Sequence, residues 1–352
     1  MQRNGQYPLP PQAPEILGVE FSGVVESVGS GDGGDDDCGQ FKPGDEVFGL
    51  TYGGVCSPFL VLDASWLLIS RPHRLMPSLL LFRPKCASIN QPPCRMRRQR
   101  AFPRSGSPPP RPSGRLVGFG PVRKYVHTHS PARRNIYLNG GQVLIHAGSS
   151  GVGIAAIQLA VHGGAAAVFT TGSSTEKLDF CTKTLGATAG LNYKTQDFAQ
   201  EILAATGGQG VDLIVDPVGQ SHFQKDLSAA AKDGCVVLLA LMSGAVAREV
   251  NLGPILMKRL RIEGTTLRSR DLTYQQQLRD RVVEEVLPGV VDGTLKVFVE
   301  RVFDWKDVRP PSYHTPQHGV QPTNLFGEKK IADAHKLMES NRTQGKIICT
   351  VA

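Results

Sequence analysis

The stretch QVLIHAGSSGVGIAAIQL, residues 142–159, decides how the rest of the chain is read. It opens with a short apolar run, Val143 to His146, that reads as a buried strand. The turn Ala147-Gly148-Ser149-Ser150-Gly151-Val152-Gly153 follows, and then apolar residues return at helical spacing. A strand, a glycine-rich turn and a helix make the first half of a nucleotide-binding βαβ unit. Glycines let the backbone approach a diphosphate with no Cβ in the way, and free N–H groups at the helix start stabilise its charge. The spacing is G-x-x-G-x-G rather than G-x-G-x-x-G, so the motif alone leaves open a tight turn with no ligand.

Downstream the alternation continues. Residues 166–170 read as a second strand, and Ser173-Ser174-Thr175-Glu176 starts a helix closed by Gly186. Residues 197–206 are a helix, 211–216 a strand, and 221–232 a helix with a Ser221/Gln224 capping pattern. Strands follow at 235–241 and 261–267, and a helix at 274–287 that stops at Pro288-Gly289. This order predicts an α/β fold with a doubly wound parallel sheet and helices on both faces. A strand near 297–303, a helix at 331–341 and a last strand at 346–351 are expected to rejoin the first region.

Upstream, residues 18–29, 41–48 and 52–62 are rich in Val and turn residues and predict a small β region. The acidic loop at 31–39, GDGGDDDCG, does not have calcium-loop spacing and reads as a solvated turn.

The 352 residues leave room for two domains, and the net charge of +8 is concentrated. Residues 69–135 hold fifteen of the 39 Lys/Arg, twelve of the 25 prolines and none of the 31 Asp/Glu, so the remainder is acidic on balance. Such a composition sustains neither helix nor buried strand and predicts a disordered insert. An arm for RNA, DNA or anionic lipid is the functional alternative, with few aromatics to stack on bases: Phe82, Phe102, Phe119 and Tyr125. The seven cysteines form no C-x-x-C pair, which argues against structural zinc and suits a reducing compartment. No apolar run reaches membrane-spanning length and the first residues do not read as a signal peptide, so the cytoplasm is expected.

The end of the second strand reads cofactor choice. NAD sites place an acid there, whereas NADP sites place small polar and cationic groups for the extra phosphate. Here Thr170-Thr171-Gly172-Ser173-Ser174 is followed by Lys177, and Glu176 sits where a capping box on Ser173 would put it. Ser173 and Lys177 are therefore assigned to the phosphate and NADPH is favoured; the alternative for Lys177 is a solvated helix lysine.

The motifs HAGSSGVGIAAIQLA, GSSTEKL, LGATAGLNYK, GVDLIVDPVG, LRSRDLTYQ and AHKLMESNRTQGKI, in this order, resemble the zinc-free quinone oxidoreductases of the medium-chain dehydrogenase/reductase superfamily. The resemblance is greatest to the p53-inducible quinone oxidoreductase group and covers residues 1–68 and 139–352, apart from one interruption. It implies a Rossmann-type domain at 136–288 between two parts of a GroES-like β domain, 1–68 and 289–352. By motif position it implies pyrophosphate contacts from Ser150, Gly151 and Val152, and an adenosine-phosphate site from Gly172, Ser173, Lys177 and Tyr193. Val218, Gly219, Leu241, Met242 and Ser243 would line the middle of the cofactor and the nicotinamide. Leu267, Arg268 and Ser269 would lie near the nicotinamide and a homodimer edge. Tyr193 also reads as a strand-end packing residue and Ser269 as a turn residue.

Zinc-dependent relatives carry Gly-His-Glu where this chain has Gly18-Val19-Glu20, so one ligand is missing and no metal is expected. Without a Lewis acid, hydride delivery to a quinone or activated alkene is favoured over alcohol oxidation. Tyr7 matches a family tyrosine at the mouth of the active site and is the candidate proton donor, or else a turn aromatic. The chain departs from the family pattern in lacking the strands before Met1 and in carrying interruptions at 69–135 and 308–327, which read as foreign to the fold. Cofactor binding with weak or no turnover is the resulting expectation. The competing readings are an enoyl reductase, a nucleic-acid-binding protein and a silent cofactor-binding remnant.

Overall fold

The computed structural model describes residues 19–27, 42–51, 67–70, 140–267, 269–304 and 328–350. Tyr7, Arg268, the strand expected at 52–62, the interruption at 308–327 and nearly all of the basic insert lie outside the described residues.

Three strands, β1 (Glu20–Val24), β2 (Glu46–Leu50) and β3 (Leu67–Ser70), form an antiparallel sheet in that order. β3 enters the basic segment by two residues. The βα alternation then begins with β4 (Gln142–Ile145), α1 (Gly151–His162), β5 (Ala167–Gly172), α2 (Thr175–Asp179) and β6 (Ala189–Asn192). It continues through α3 (Phe198–Ala205), β7 (Val211–Asp216), α4 (Gln220–Ala229), β8 (Ala230–Leu238), α5 (Gly253–Met257) and β9 (Arg261–Gly264). After α6 (Leu272–Arg281) and α7 (Leu287–Val291), β10 (Val299–Asp304) pairs in parallel with β11 (Lys346–Thr350), the two flanking α8 (Glu328–Glu339).

Strands β6-β5-β4-β7-β8-β9 make one six-stranded sheet, parallel at every pairing. The order reverses between β4 and β7, which opens a crevice at the strand ends there. On β4, Val143 and Ile145 join one apolar cluster with Ile157 and Leu213, while Leu144 joins another with Phe198 and Ile214. Alternate residues of a strand face opposite ways, so a strand apolar on both faces must be sandwiched by helices. The expected Rossmann-type sheet is what forms, beside a small β region.

Several local expectations are corrected. Ser174, not Ser173, caps α2, accepting from the Lys177 N–H at 3.4 Å. Two adjacent serines offer the same chemistry, and the cap falls to the one with extended backbone at the last position before the helix. The helix that follows continues as a π-helical segment, Phe180–Thr184. No Ser221/Gln224 box forms, because α4 begins at Gln220 behind Gly219, without a side-chain cap. The strand expected from Cys235 begins at Ala230, where pairing with Val211 overrides the helical preference of Ala230 and Ala231. The helix ending expected at Pro288-Gly289 is absent: Pro288 opens α7 instead, where its missing N–H is harmless.

Candidate functional site

The expected site residues that are described follow the C-terminal ends of the parallel strands. Ser150, Gly151 and Val152 follow β4; Gly172, Ser173 and Lys177 end or follow β5; Tyr193 follows β6. Val218 and Gly219 follow β7, Leu241, Met242 and Ser243 follow β8, and Leu267 and Ser269 follow β9.

The three glycines of the turn have separate reasons. A Cβ on Gly148 would stand 2.0 Å from Thr170 Oγ1, and one on Gly153 would stand 2.3 Å from the Ala147 carbonyl oxygen. Both are demanded by packing of the turn against β5 and α1, with or without a ligand. Gly151 differs, since a Cβ there would meet only the Lys346 side chain, at 3.0 Å. Ser150 is the N-cap of α1, its Oγ accepting from the Gly153 N–H at 3.0 Å.

The loops after β7 and β8 are tied together. Ser243 donates through its N–H and its hydroxyl to the Val218 carbonyl, at 2.9 and 2.8 Å, and accepts from the Ser221 N–H at 3.0 Å. Gly219 has φ 81° and lies so close to Leu241 that a Cβ would stand 2.9 Å from its side chain. Met242 beside it is 64% exposed, an apolar surface at the crevice. Tyr193 does pack, its ring 5.4 Å from that of His222. Ser269 sits in a turn where its hydroxyl meets that of Thr266 at 2.6 Å, beyond the outer strand β9.

Lys177 is not a solvated helix lysine. It is 7% exposed, and its ammonium donates to the main-chain carbonyl and the side-chain Oδ1 of Asn341, at 2.7 and 3.1 Å. Desolvation first, and Lys194 second, lower its pKa. Among the described residues no carboxylate forms an ion pair with it. With two of its N–H groups on neutral oxygens, the ammonium keeps one donor for an anion.

Asn341 and Lys346 are the residues sequence reasoning missed. The Gly345 N–H donates to the Ser149 carbonyl at 3.1 Å, and Gly345 bridges Ser150. Lys346 then crosses the start of α1 and pairs with Glu20 of β1. The only sequence signal was the basic and glycine content of NRTQGK, with no hint of what it touches.

Beneath the crevice lies a buried polar cluster. His146 Nδ1 meets Thr171 Oγ1 at 2.9 Å and its Nε2 meets Asp226 Oδ1 at 2.8 Å. Asp216 accepts from the Val218 N–H at 2.6 Å and the Gly219 N–H at 3.0 Å. Burial lowers the His146 pKa to about 4, with Asp216 opposing, and lowers that of His222 to about 4. Burial raises the pKa of Asp226 well above the carboxylate range, and burial and then Asp226 raise that of Asp216. Burial thus works against the charged form of both partners in the His146–Asp226 contact.

The zinc-binding dehydrogenase family matches residues 151–284. Quinone oxidoreductase 1 of Escherichia coli (strain K12) is 25% identical over 344 residues, 97% of this chain and 84% of that one. A highly reducing polyketide synthase, anuA of Penicillium roqueforti, is 28% identical over 210 residues, 59% of this chain, and the chain spans 9% of that protein's length. The crystal structure of Escherichia coli quinone oxidoreductase complexed with NADPH superposes with a TM-score of 0.63 and 23% identity, covering 99% of this chain and 86% of that one. With the sheet order, the strand-end site and these matches in hand, the chain is similar to zinc-binding dehydrogenases over residues 151–284 and to a quinone oxidoreductase over nearly its whole length, and it shares the fold of that enzyme's structure.

Proposed function

We propose that this chain is an NADPH-dependent reductase that passes hydride to a quinone without zinc. The observation that carries the reading is Lys177, a cation buried at the strand end that reads the adenine ribose and bonded only to neutral oxygens. Removing a charge from water without an opposite charge is costly, and an incoming phosphate would offset that cost. The absence of a Cβ at Gly151, beside the Lys346 stem, suits a diphosphate at the start of α1. In this reading Ser150, Gly151 and Val152 hold the diphosphate, Gly172, Ser173, Lys177 and Tyr193 the adenosine phosphate, and the loops at Val218, Gly219 and 241–243 the remainder. Leu267, Arg268 and Ser269 border the nicotinamide end.

Bound NADPH supplies two electrons and one proton as hydride. The second proton that completes a hydroquinone comes from the Tyr7 hydroxyl, which regains one from water. The loops at 218–219 and 241–243 present Leu241 and Met242 as an apolar wall that keeps water from the transferring hydride. We assign the chain to the p53-inducible group on its motifs and place it in the cytoplasm. No described helix is long and apolar enough to cross a membrane. A homodimer formed along the β9 edge is supported by exposed Leu252, Leu256, Met257 and Ile262 near that strand.

The second reading is an enoyl reductase, supported by the match to a highly reducing polyketide synthase. Both reduce a conjugated carbonyl system, so substrate panels distinguish them. The test follows NADPH oxidation by the full chain with a quinone and with an enoyl thioester. Weak quinone-dependent oxidation is expected; turnover of the thioester alone favours the second reading, and turnover of neither, with NADPH bound, leaves a silent remnant.

A further inference from the structure

Resting on the NADPH reading above, we propose that His146 and Asp226 are positioning residues that fix the spacing of the three strand-end loops on which the dinucleotide lies. His146 is the residue before the glycine turn, and its Nδ1 is bonded to Thr171, one residue before Gly172 and Ser173. The Thr171 hydroxyl also accepts from the Ala147 N–H at 3.4 Å, and the Thr171 carbonyl accepts from the Gly148 N–H at 3.1 Å. On the opposite edge of the ring, Nε2 reaches Asp226 of α4, the helix that follows Val218 and Gly219. Asp216 holds that same loop by the two N–H bonds described above, and a ring nitrogen of His146 and the carboxylates of Asp216 and Asp226 lie within 4.8 Å of one another. One connected set of side chains thus joins the ends of β4, β5 and β7.

Stability does not explain the cluster. His146, Thr171, Asp216 and Asp226 are each at most 1% exposed, and Asp226 Oδ2 and His222 Nε2 have no hydrogen-bond partner. Buried polar clusters with unpaired atoms destabilise relative to apolar side chains of similar volume. What a hydrogen bond adds over an apolar contact is direction, and direction fixes loop geometry. A metal ion is the other use of such a triad, but both His146 nitrogens are already engaged by Thr171 and Asp226.

The tautomer of His146 sets the direction of both bonds: with its proton on Nε2 the ring donates to Asp226 and accepts at Nδ1 from the Thr171 hydroxyl. Asparagine keeps that acceptor, whereas leucine removes it. The facing charged and titratable groups are Asp216 from β7, His222 and Lys225 from α4, with Lys225 5.7 Å above the Phe198 ring.

The test measures NADPH dissociation constants and melting temperatures of the full chain as wild type, Asp226→Asn, Asp226→Leu, Thr171→Val and the double variant His146→Phe with Asp226→Leu. Asp226→Asn is expected within about twofold of wild type, while the double variant binds NADPH about tenfold or more weakly without melting lower. A merely structural cluster moves affinity and melting temperature together. Should the leucine variants fail to fold, Thr171→Val, which breaks the Nδ1 contact with an isosteric side chain, reads the same loss of affinity. Folded variants that bind NADPH like wild type overturn the positioning role alone. Wild type that binds no dinucleotide overturns the functional reading beneath it.

Discussion

The turn after β4 and the segment at 341–346 that closes on it are specified by different rules. The turn is local: Gly148 and Gly153 are imposed by neighbours a few residues or one strand away, and Ser150 caps its own helix. The closing segment is remote, bringing Asn341 to Lys177 across 164 residues and Lys346 to Glu20 across 326. The local half is built by packing and would form around any nucleotide-free core. The remote half places charge, with Asn341 holding the Lys177 ammonium and the Lys346 stem beside Gly151, and charge is what distinguishes a phosphate site from a bare turn. A βαβ motif in a sequence is therefore evidence of a scaffold, and the cations around it are evidence of a ligand.

Substitutions separate the two halves. Gly153→Ala forces a Cβ into the Ala147 carbonyl and is expected to destabilise the fold by about 3 kcal/mol, measured by urea unfolding. Lys177→Met leaves the fold in place and weakens NADPH binding by about 2 kcal/mol, roughly thirtyfold, with NADH unaffected; equal losses for both dinucleotides break the comparison. Ser150→Ala removes a helix cap and costs about 1 kcal/mol of stability. Glu20→Gln removes an exposed ion pair whose contribution is about 0.5 kcal/mol, so its unfolding midpoint stays close to wild type, while salt weakens what difference remains.

The buried cluster gives a pH signature. His146 and His222 are held to about 4 against 6.5 in the unfolded chain, so between those values the unfolded state binds protons that the folded state refuses, and stability falls as pH drops through that window. Asp226 acts in the opposite sense, since its raised pKa stabilises the fold below the unfolded carboxylate value and the contribution is lost as pH rises through the folded one. Asp226→Asn deletes only the second effect. Its melting temperature relative to wild type is expected to climb with pH, and a difference independent of pH would show Asp226 to be ordinary.

Between residues 142 and 264 most strands and helices were legible because each carries its own period, but the four-residue β6 and the five-residue α5 are too short to show one and were not read. β7 was read at its observed ends, Val211 and Asp216, since a buried parallel strand bounded by turn residues leaves little choice. Where two neighbours share a chemistry the reading slipped, as at Ser173 and Ser174, and where pairing outweighed propensity it slipped again, as at Ala230. The π-helical segments Phe180–Thr184 and Val282–Val286 leave no compositional mark that a helical period does not also leave. Lys177 was found as a cation near the right strand end, but its burial and its Asn341 partner are products of chain return. The His146–Thr171–Asp226 cluster was invisible for the same reason, because His146 alone reads as one more residue of an apolar strand.

The most direct test of the central claim is calorimetric titration of the full-length chain with NADPH and, separately, with NADH. The account predicts saturable NADPH binding at one site per chain and NADH binding about tenfold or more weaker, the difference lying in the phosphate that Lys177 meets. Equal affinity for the two, or heat from neither, would contradict it.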